Sequence, residues 1–415
     1  MNTPQSAARE STRQAPLAAD LNRAQFLAVS VCALGLGVDL LEMSLGNALA
    51  TVFSAPPYQL GGLSLGWILS GVYLGAVVGS PVLGWVAQRI GLQRLLCWLL
   101  LGLAVTAGLC AASPGPSWLG IGRILSGLVL GPYPPLMIAY LSQILPPRRR
   151  GTLIFAASGV AYLAPPAGIF LVRGLSGSAP LGLDSWRWPF AVSAALALCV
   201  AAAARRLPPI SPGQPSQQHS AAAAAPVGQQ RTRFAIAAAL YFLSPWATVA
   251  FPLLTGPILL HRGLSLQDSL LHVGLATFGP IIGTFTLGPL MDRVERRTSL
   301  VLFAVMMLVT AVGFITLPYA AVTTIAVVLF STGVALYTPA LTVYGAELFP
   351  YRSRAAATSA AWALNRLAAC LAPIVLIAVC GSSATVLTAS VCIALIASIL
   401  LVRAGPPGSM GKALD

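Results

Sequence analysis

The chain is predicted to be an all-α membrane protein, with twelve transmembrane helices arranged as two six-helix bundles. Three observations predict this. Of 415 residues, 57% are hydrophobic and only 8% charged, with a mean hydropathy of +0.83, whereas a soluble domain carries about a quarter charged residues. Apolar runs of about 20 residues, long enough to cross a hydrocarbon core as helices, recur from Phe26 to Leu401. Finally, one phrase is written twice. GPYPPLMIAYLSQILPPRRRG, from Gly131, returns as ALYTPALTVYGAELFPYRSRA, from Ala335, at an offset of 335 − 131 = 204 residues.

Residues 1–24 are polar with no apolar core, so they read as a cytoplasmic tail and not as a cleavable signal. The spans follow at roughly 25–51, 63–88, 94–112, 116–143, 151–173 and 188–204, then 234–259, 265–291, 298–317, 320–347, 354–379 and 382–402. With the amino terminus inside, 19 of the 24 basic residues fall on the cytoplasmic side. Arg173, Arg187 and Arg262 fall outside, and Arg123 and Arg366 lie within spans. That asymmetry is the positive-inside rule. The net charge of +14 is therefore a topology signal, and nucleic acid is not an expected partner. The seven cysteines fall singly in or at the ends of apolar spans, with no metal-ligand or redox spacing.

Between spans six and seven, residues 205–233 are rich in Pro, Ser, Gln and Ala, the composition of a flexible cytoplasmic linker. It separates an N-terminal bundle, 25–204, from a C-terminal bundle, 234–403, with 404–415 as a second cytoplasmic tail. In the repeated phrase Tyr133/Tyr337, Pro135/Pro339, Tyr140/Tyr344, Pro146/Pro350, Arg148/Arg352 and Arg150/Arg354 coincide. A second pair, GWVAQRIGLQR from Gly84 and GPLMDRVERRT from Gly288, repeats at the same offset of 288 − 84 = 204. Parallel repeats of two bundles with substrate held between them near the midplane are a transporter architecture.

These residues resemble the major facilitator superfamily. GxxxxRxGxxR after span two and GxxxDR after span eight are similar to its loop signature, and RILSGLVLGPYPP, from Arg123, resembles its span-four pattern. AELFPYRSRAAATSAAWALNRLAACLAPIV, from Ala346, and SWRWPF, from Ser185, are similar to segments of its metabolite and aromatic-acid:proton symporters. The resemblance implies the major facilitator fold, a monomer, and an inner latch between the bundles. Gln88 stands where the family has an acid, and Glu295 where it has a glycine. The latch is therefore assigned to Arg89, Asp292, Arg293, Arg148, Arg150, Glu347, Arg352 and Arg354. GVAYLAPPAG, from Gly159, lacks the glycine-proline pattern that the resemblance would require of a drug:proton antiporter. The Arg148–Arg150 run is also suited to lipid phosphate.

Four charged residues sit inside spans: Asp39 and Glu42 in span one, Arg123 in span four and Arg366 in span eleven. Each costs roughly 2.5–3.5 kcal/mol at a helix centre, so pairing or a watery cavity must offset them. Counting depth from the span ends at about 1.5 Å per residue places Arg123 level with Asp39, and predicts that it pairs with Asp39 or Glu42. Burial raises a carboxyl pKa and a nearby guanidinium lowers it. A cycle that moves Arg123 would thus load and unload a proton on Asp39 or Glu42; a permanent salt bridge is the competing role. Arg366, near the midplane, has no acid at an obvious matching depth. It is assigned to gripping a carboxylate substrate, with helix packing against carbonyls freed by prolines as the alternative.

Tyr133 and Tyr337 are candidate cavity residues, with interhelical packing as the alternative. Tyr162 joins them because it occupies Arg366's repeat position, and Tyr241 and Trp246 of span seven are weaker candidates. His272 of span eight titrates near physiological pH by type, and a structural role competes. No phosphate loop, metal cluster or nucleophile–base arrangement appears. The chain is expected not to be an enzyme and to need no cofactor.

Together these readings predict a bacterial inner-membrane transporter with both termini cytoplasmic, coupling protons to uptake of a small organic anion. Export of amphipathic drugs in exchange for protons is the alternative. A sensor or scaffold that moves nothing is a third reading, disfavoured by the short tails.

Overall fold

The computed structural model describes residues 22–146, 150–178, 180–209, 227–287, 294–316, 320–349, 351–380 and 383–406. Among them, twelve helical segments are long and apolar enough to cross a membrane. We number them α1–α12. In the N-terminal bundle they are α1 (Arg23–Ser54), α2 (Gly62–Ile90), α3 (Leu92–Ala112), α4 (Pro116–Leu130 and Tyr133–Ile144), α5 (Arg150–Ala161 and Ala164–Leu175) and α6 (Arg187–Ala204). The C-terminal bundle holds α7 (Val227–Thr248 and Ala250–His261), α8 (Leu266–Ala276, Gly279–Ile282 and a π turn Gly283–Leu287), α9 (Arg296–Thr316), α10 (Ala320–Glu347), α11 (Tyr351–Cys380) and α12 (Ala384–Ala404). α7 begins at Val227, earlier than the expected end of the linker.

Four helices are interrupted, and prolines sit at or just past each break: Pro132 in α4, Pro165 and Pro166 in α5, Pro252 in α7 and Pro280 in α8. Proline lacks the N–H that would close the turn. At the α8 break the Thr332 hydroxyl of α10 donates to the Gly279 carbonyl at 3.1 Å. α10 itself runs unbroken through Pro339, so the repeat does not carry the α4 break into its counterpart.

Close approach of small residues assembles each bundle, because lipid leaves little hydrophobic drive between helices. α2 lies directly on α4, where a Cβ at Gly75 would strike the Ile124 carbonyl and one at Gly127 the Val72 carbonyl. SWRWPF builds the entry to α6: Trp186 is buried and donates to the Tyr58 hydroxyl at 3.0 Å, and Arg187 donates to the Ala111 carbonyl at 3.0 Å.

The repeated phrase has a structural meaning in both bundles. Tyr140 of α4 donates to the Pro208 carbonyl at 3.0 Å, and its repeat mate Tyr344 of α10 donates to the Pro406 carbonyl at 3.0 Å. Each hydroxyl pins the chain as it leaves the last helix of its bundle.

The bundles meet along α1 with α7, α2 with α11, and α5 with α8. The bundles approach closely in the half that carries the α1–α2 and α7–α8 connections, the outer half in the expected topology. There Gly256 of α7 abuts Thr51 of α1, and Gly66 of α2 abuts Ile374 of α11. Arg173 Nε donates to the Gln267 carbonyl at 3.0 Å, and Gln267 Nε2 returns a bond to the Ser176 carbonyl at 3.1 Å.

Candidate functional site

The four intramembrane charges form two sets. Arg123 of α4 donates to Glu42 of α1 at 3.1 Å, with side chains only 1% and 0% exposed. This decides between the two acids predicted for Arg123: its partner is Glu42. Phe190 of α6 lies beneath the guanidinium, 5.7 Å from Cζ to ring centroid, and Ser193 of the same helix lies beside Glu42. The second Glu42 oxygen, Arg123 Nη2 and Ser193 Oγ are buried without hydrogen-bond partners. Two charges so enclosed have given up their hydration, and removing either strands the other.

Asp39 is buried and makes no ion pair among the described residues, and its Oδ1 has no hydrogen-bond partner. The cation that acts most strongly on it is Arg366 of α11. Reciprocally, Asp39 is the charge that acts most on Arg366. The expectation that Arg366 has no acid at its level is therefore corrected: its acid comes from the opposite bundle. Depth counted within one bundle could not show a partner across the seam.

Arg366 stays partly exposed and carries no ion pair among the described residues. Its guanidinium lies 5.8 Å from the Trp362 ring centroid, one turn earlier on α11. Trp362 packs edge-on against Tyr241, with centroids 5.5 Å apart, and Asn365 Nδ2 donates to the Tyr241 carbonyl at 2.9 Å. α7 thus braces the α11 surface that presents Arg366. From α2, the partly exposed Tyr73 lies within the fields of both Arg123 and Arg366. Tyr73, Trp362 and Asn365 were not singled out from the sequence. They carry no charge and fall outside the repeated phrase, so the packing of α2 and α7 against α11 is what reveals them.

Several predicted cavity residues take the packing role. Tyr133 is buried with its hydroxyl against Gly35 of α1. Tyr337 is buried inside the C-terminal bundle, its hydroxyl without a partner. Tyr241 is buried, its hydroxyl donating to the Leu341 carbonyl at 3.4 Å, and it acts on the site through Trp362. Each ring fills the interior of its own bundle because the neighbouring helices leave room there, opposite small residues such as Gly35 and Gly345. Trp246 is partly exposed, with Nε1 buried and unpartnered. Tyr162 is partly exposed at the α5 break. His272 lies in the first part of α8, its Nδ1 2.8 Å from the Asp268 carbonyl and its Nε2 buried without a partner.

Of the predicted latch, Arg89 is exposed and lies over Trp85 of its own helix, 3.7 Å from the ring centroid. Arg150 opens α5 with its Nε buried and unpartnered. Glu347 ends α10 and is engaged in an interaction. Arg148, Asp292 and Arg293 lie outside the described residues, as do the side chains of Arg352 and Arg354.

The family model described as Major Facilitator Superfamily matches residues 27–373. The chain belongs to the Major Facilitator Superfamily. Among curated members of the superfamily, the gallate transporter of Pseudomonas putida is 28% identical over 265 residues, which cover 55% of this chain and 58% of that protein. The multidrug export protein EmrB of Escherichia coli (strain K12) is 25% identical over 134 residues, 32% of this chain and 25% of EmrB. The arabinose-proton symporter of Bacillus subtilis (strain 168) is 29% identical over 170 residues, 40% of this chain and 37% of the symporter. The matched segments thus span from a quarter to under two thirds of these relatives' lengths. Among solved structures, the inward-open xylose transporter XylE from E. coli superposes with a TM-score of 0.75 at 16% identity, over 94% of this chain and 98% of XylE. The likeness shows that the superfamily fold is shared.

Proposed function

We propose that this superfamily member is a secondary active transporter of a bacterial inner membrane, with cytoplasmic termini, that couples protons to the uptake of a small organic anion. The observation that carries the reading is Arg366: a guanidinium at the bundle seam, partly exposed and bound in no ion pair among the described residues. A carboxylate would complete it with a two-pronged, charge-assisted contact. A neutral sugar or a cationic drug would not.

Asp39 opposite it is the proton site in this reading. When Asp39 is ionised, it and an anionic substrate compete for one guanidinium. A proton on Asp39 removes the competitor, so proton and anion load together. Glu42 and Arg123, locked to each other within one bundle, hold α1 and α4 as one unit. The gallate transporter's name agrees with a carboxylate, since gallate is one.

Thermal unfolding of the purified protein tests the reading, with mono- and dicarboxylates, aromatic acids, sugars and lipophilic cations as ligands. A ligand at about 100 times its dissociation constant stabilises by about 2.7 kcal/mol. Stabilisation by carboxylates in wild type but not in Arg366→Ala supports the proposal. Stabilisation by lipophilic cations alone rejects it in favour of drug:proton antiport, an export reading with which EmrB's name, a multidrug export protein, agrees.

A further inference from the structure

A groove walled by α1, α5 and α6 lies apart from the charged centre. It encloses about 440 Å³ and is lined almost wholly by aliphatic side chains. α1 forms its floor from Val31 to Leu41, and Val160 and Leu163 of α5 and Leu196 of α6 stand exposed along its edges. In a membrane, such exposed apolar walls face lipid. The walls are set by small residues: Gly37 of α1 faces Ala164 and Ala161 of α5, which a Cβ there would meet at 3.6 and 3.7 Å.

The groove is one leaflet deep. Val31 to Leu41 spans ten helical steps, about 15 Å at ~1.5 Å each, which is half of a ~30 Å hydrocarbon core. On α6 the lining reaches Ala203, beside the helix end at Ala204, so the groove runs from the basic face of the membrane to the middle.

Each of its three helices carries an arginine at that face. Arg23 opens α1 and Arg150 opens α5, while Arg206 follows α6, its N–H bonded to the Ala203 carbonyl at 3.0 Å. Helical spacing puts Arg23 on the stripe of Leu34, Arg150 on that of Ala161, and Arg206 on that of Cys199 and Ala203. Arg23 and Arg206 are exposed, Arg150 Nε is buried without a partner, and none of the three forms an ion pair among the described residues. The described acids of this bundle, Asp39, Glu42 and Asp184, lie in the interior or at the opposite face.

We propose that the groove binds one anionic phospholipid of the leaflet on the basic side. An acyl chain lies along α1, and the phosphate sits among Arg23, Arg150 and Arg206. A zwitterionic lipid would fill the same apolar wall but leave the arginines without net charge compensation.

The full-length protein in neutral detergent is titrated with phosphatidylglycerol, with phosphatidylcholine of the same chains, and with glycerol phosphate. Retained lipid is read by native mass spectrometry, and stabilisation by thermal unfolding. The expected result is preferential retention of phosphatidylglycerol, with about a fivefold loss of preference for each of Arg23→Ser and Arg206→Ser, and no shift from glycerol phosphate. Cys199→Trp, which fills the groove and leaves the arginines intact, should release both lipids; Leu34→Trp replaces it if that variant does not fold. Equal retention of the two lipids in wild type would overturn the proposal. So would a preference that survives removal of both arginines, a glycerol phosphate shift as large as the lipid's, or undiminished retention in a filled groove.

Discussion

Asp39 of α1 and Arg366 of α11 are each other's principal charged neighbour across the seam between the bundles, and neither makes an ion pair among the described residues. Glu42, one turn from Asp39, is instead bonded to Arg123 at 3.1 Å inside a single bundle. One set therefore straddles the interface between the bundles and the other lies within one half. A transport cycle that rocks the bundles changes the first set and preserves the second.

Arg366→Ala should weaken binding of a carboxylate substrate by about 2–5 kcal/mol, roughly 30-fold or more, the usual loss on truncating one side of a buried charge-assisted contact. Arg366→Lys should recover part of it, because the ammonium keeps the charge but not the planar fork. Isothermal titration with the ligand identified in the thermal screen measures both.

Asp39→Asn should preserve substrate exchange between equal pools and abolish accumulation against a gradient. The amide keeps the shape but carries no exchangeable charge. Counterflow and gradient-driven uptake, run on the same vesicles, separate the two activities.

Glu42→Gln should destabilise the fold by about 3–5 kcal/mol, because it leaves Arg123 buried and uncompensated. Adding Arg123→Met should restore most of that loss, since an apolar pair of similar volume often replaces a buried ion pair at little cost. Equal melting points for the single variant and wild type would contradict the buried pairing.

The spans, the repeat, the superfamily and the four anomalous charges were legible because each is written in local composition or fixed spacing. The partner of Arg123 was narrowed to two acids on one helix face, and the fold chose Glu42. The partner of Arg366 was not legible. The repeat points from Arg366 to Tyr162, an equivalent position in the other bundle, whereas contact across the seam depends on how the bundles dock. Tyr133, Tyr337 and Tyr241 are buried within their own bundles, which the sequence could not show for a related reason: a helical span places a side chain at a depth but does not say which neighbour it turns toward. Helix breaks were only partly legible, since Pro132 interrupts α4 while Pro339 leaves α10 continuous.

Gly256→Val should hold the outer half open. Any Cβ at that position runs into the Thr51 side chain of α1, at the point where α7 closes against the N-terminal bundle. Transport should fall by at least about tenfold, the factor that ~1.4 kcal/mol represents, and Thr51→Ala should recover part of it. Labelling of a cysteine placed at Ser54, in a background without other cysteines, reports the opening as a faster reaction.

Proton movement driven by substrate separates coupled uptake from uncoupled passage. Vesicles containing the protein and an internal pH indicator, with no imposed proton gradient, are given the carboxylate ligand from outside. Wild type should acidify the interior and Asp39→Asn should not, although the variant still exchanges substrate. Substrate entry without acidification in wild type, or acidification undiminished in Asp39→Asn, would contradict proton coupling at Asp39.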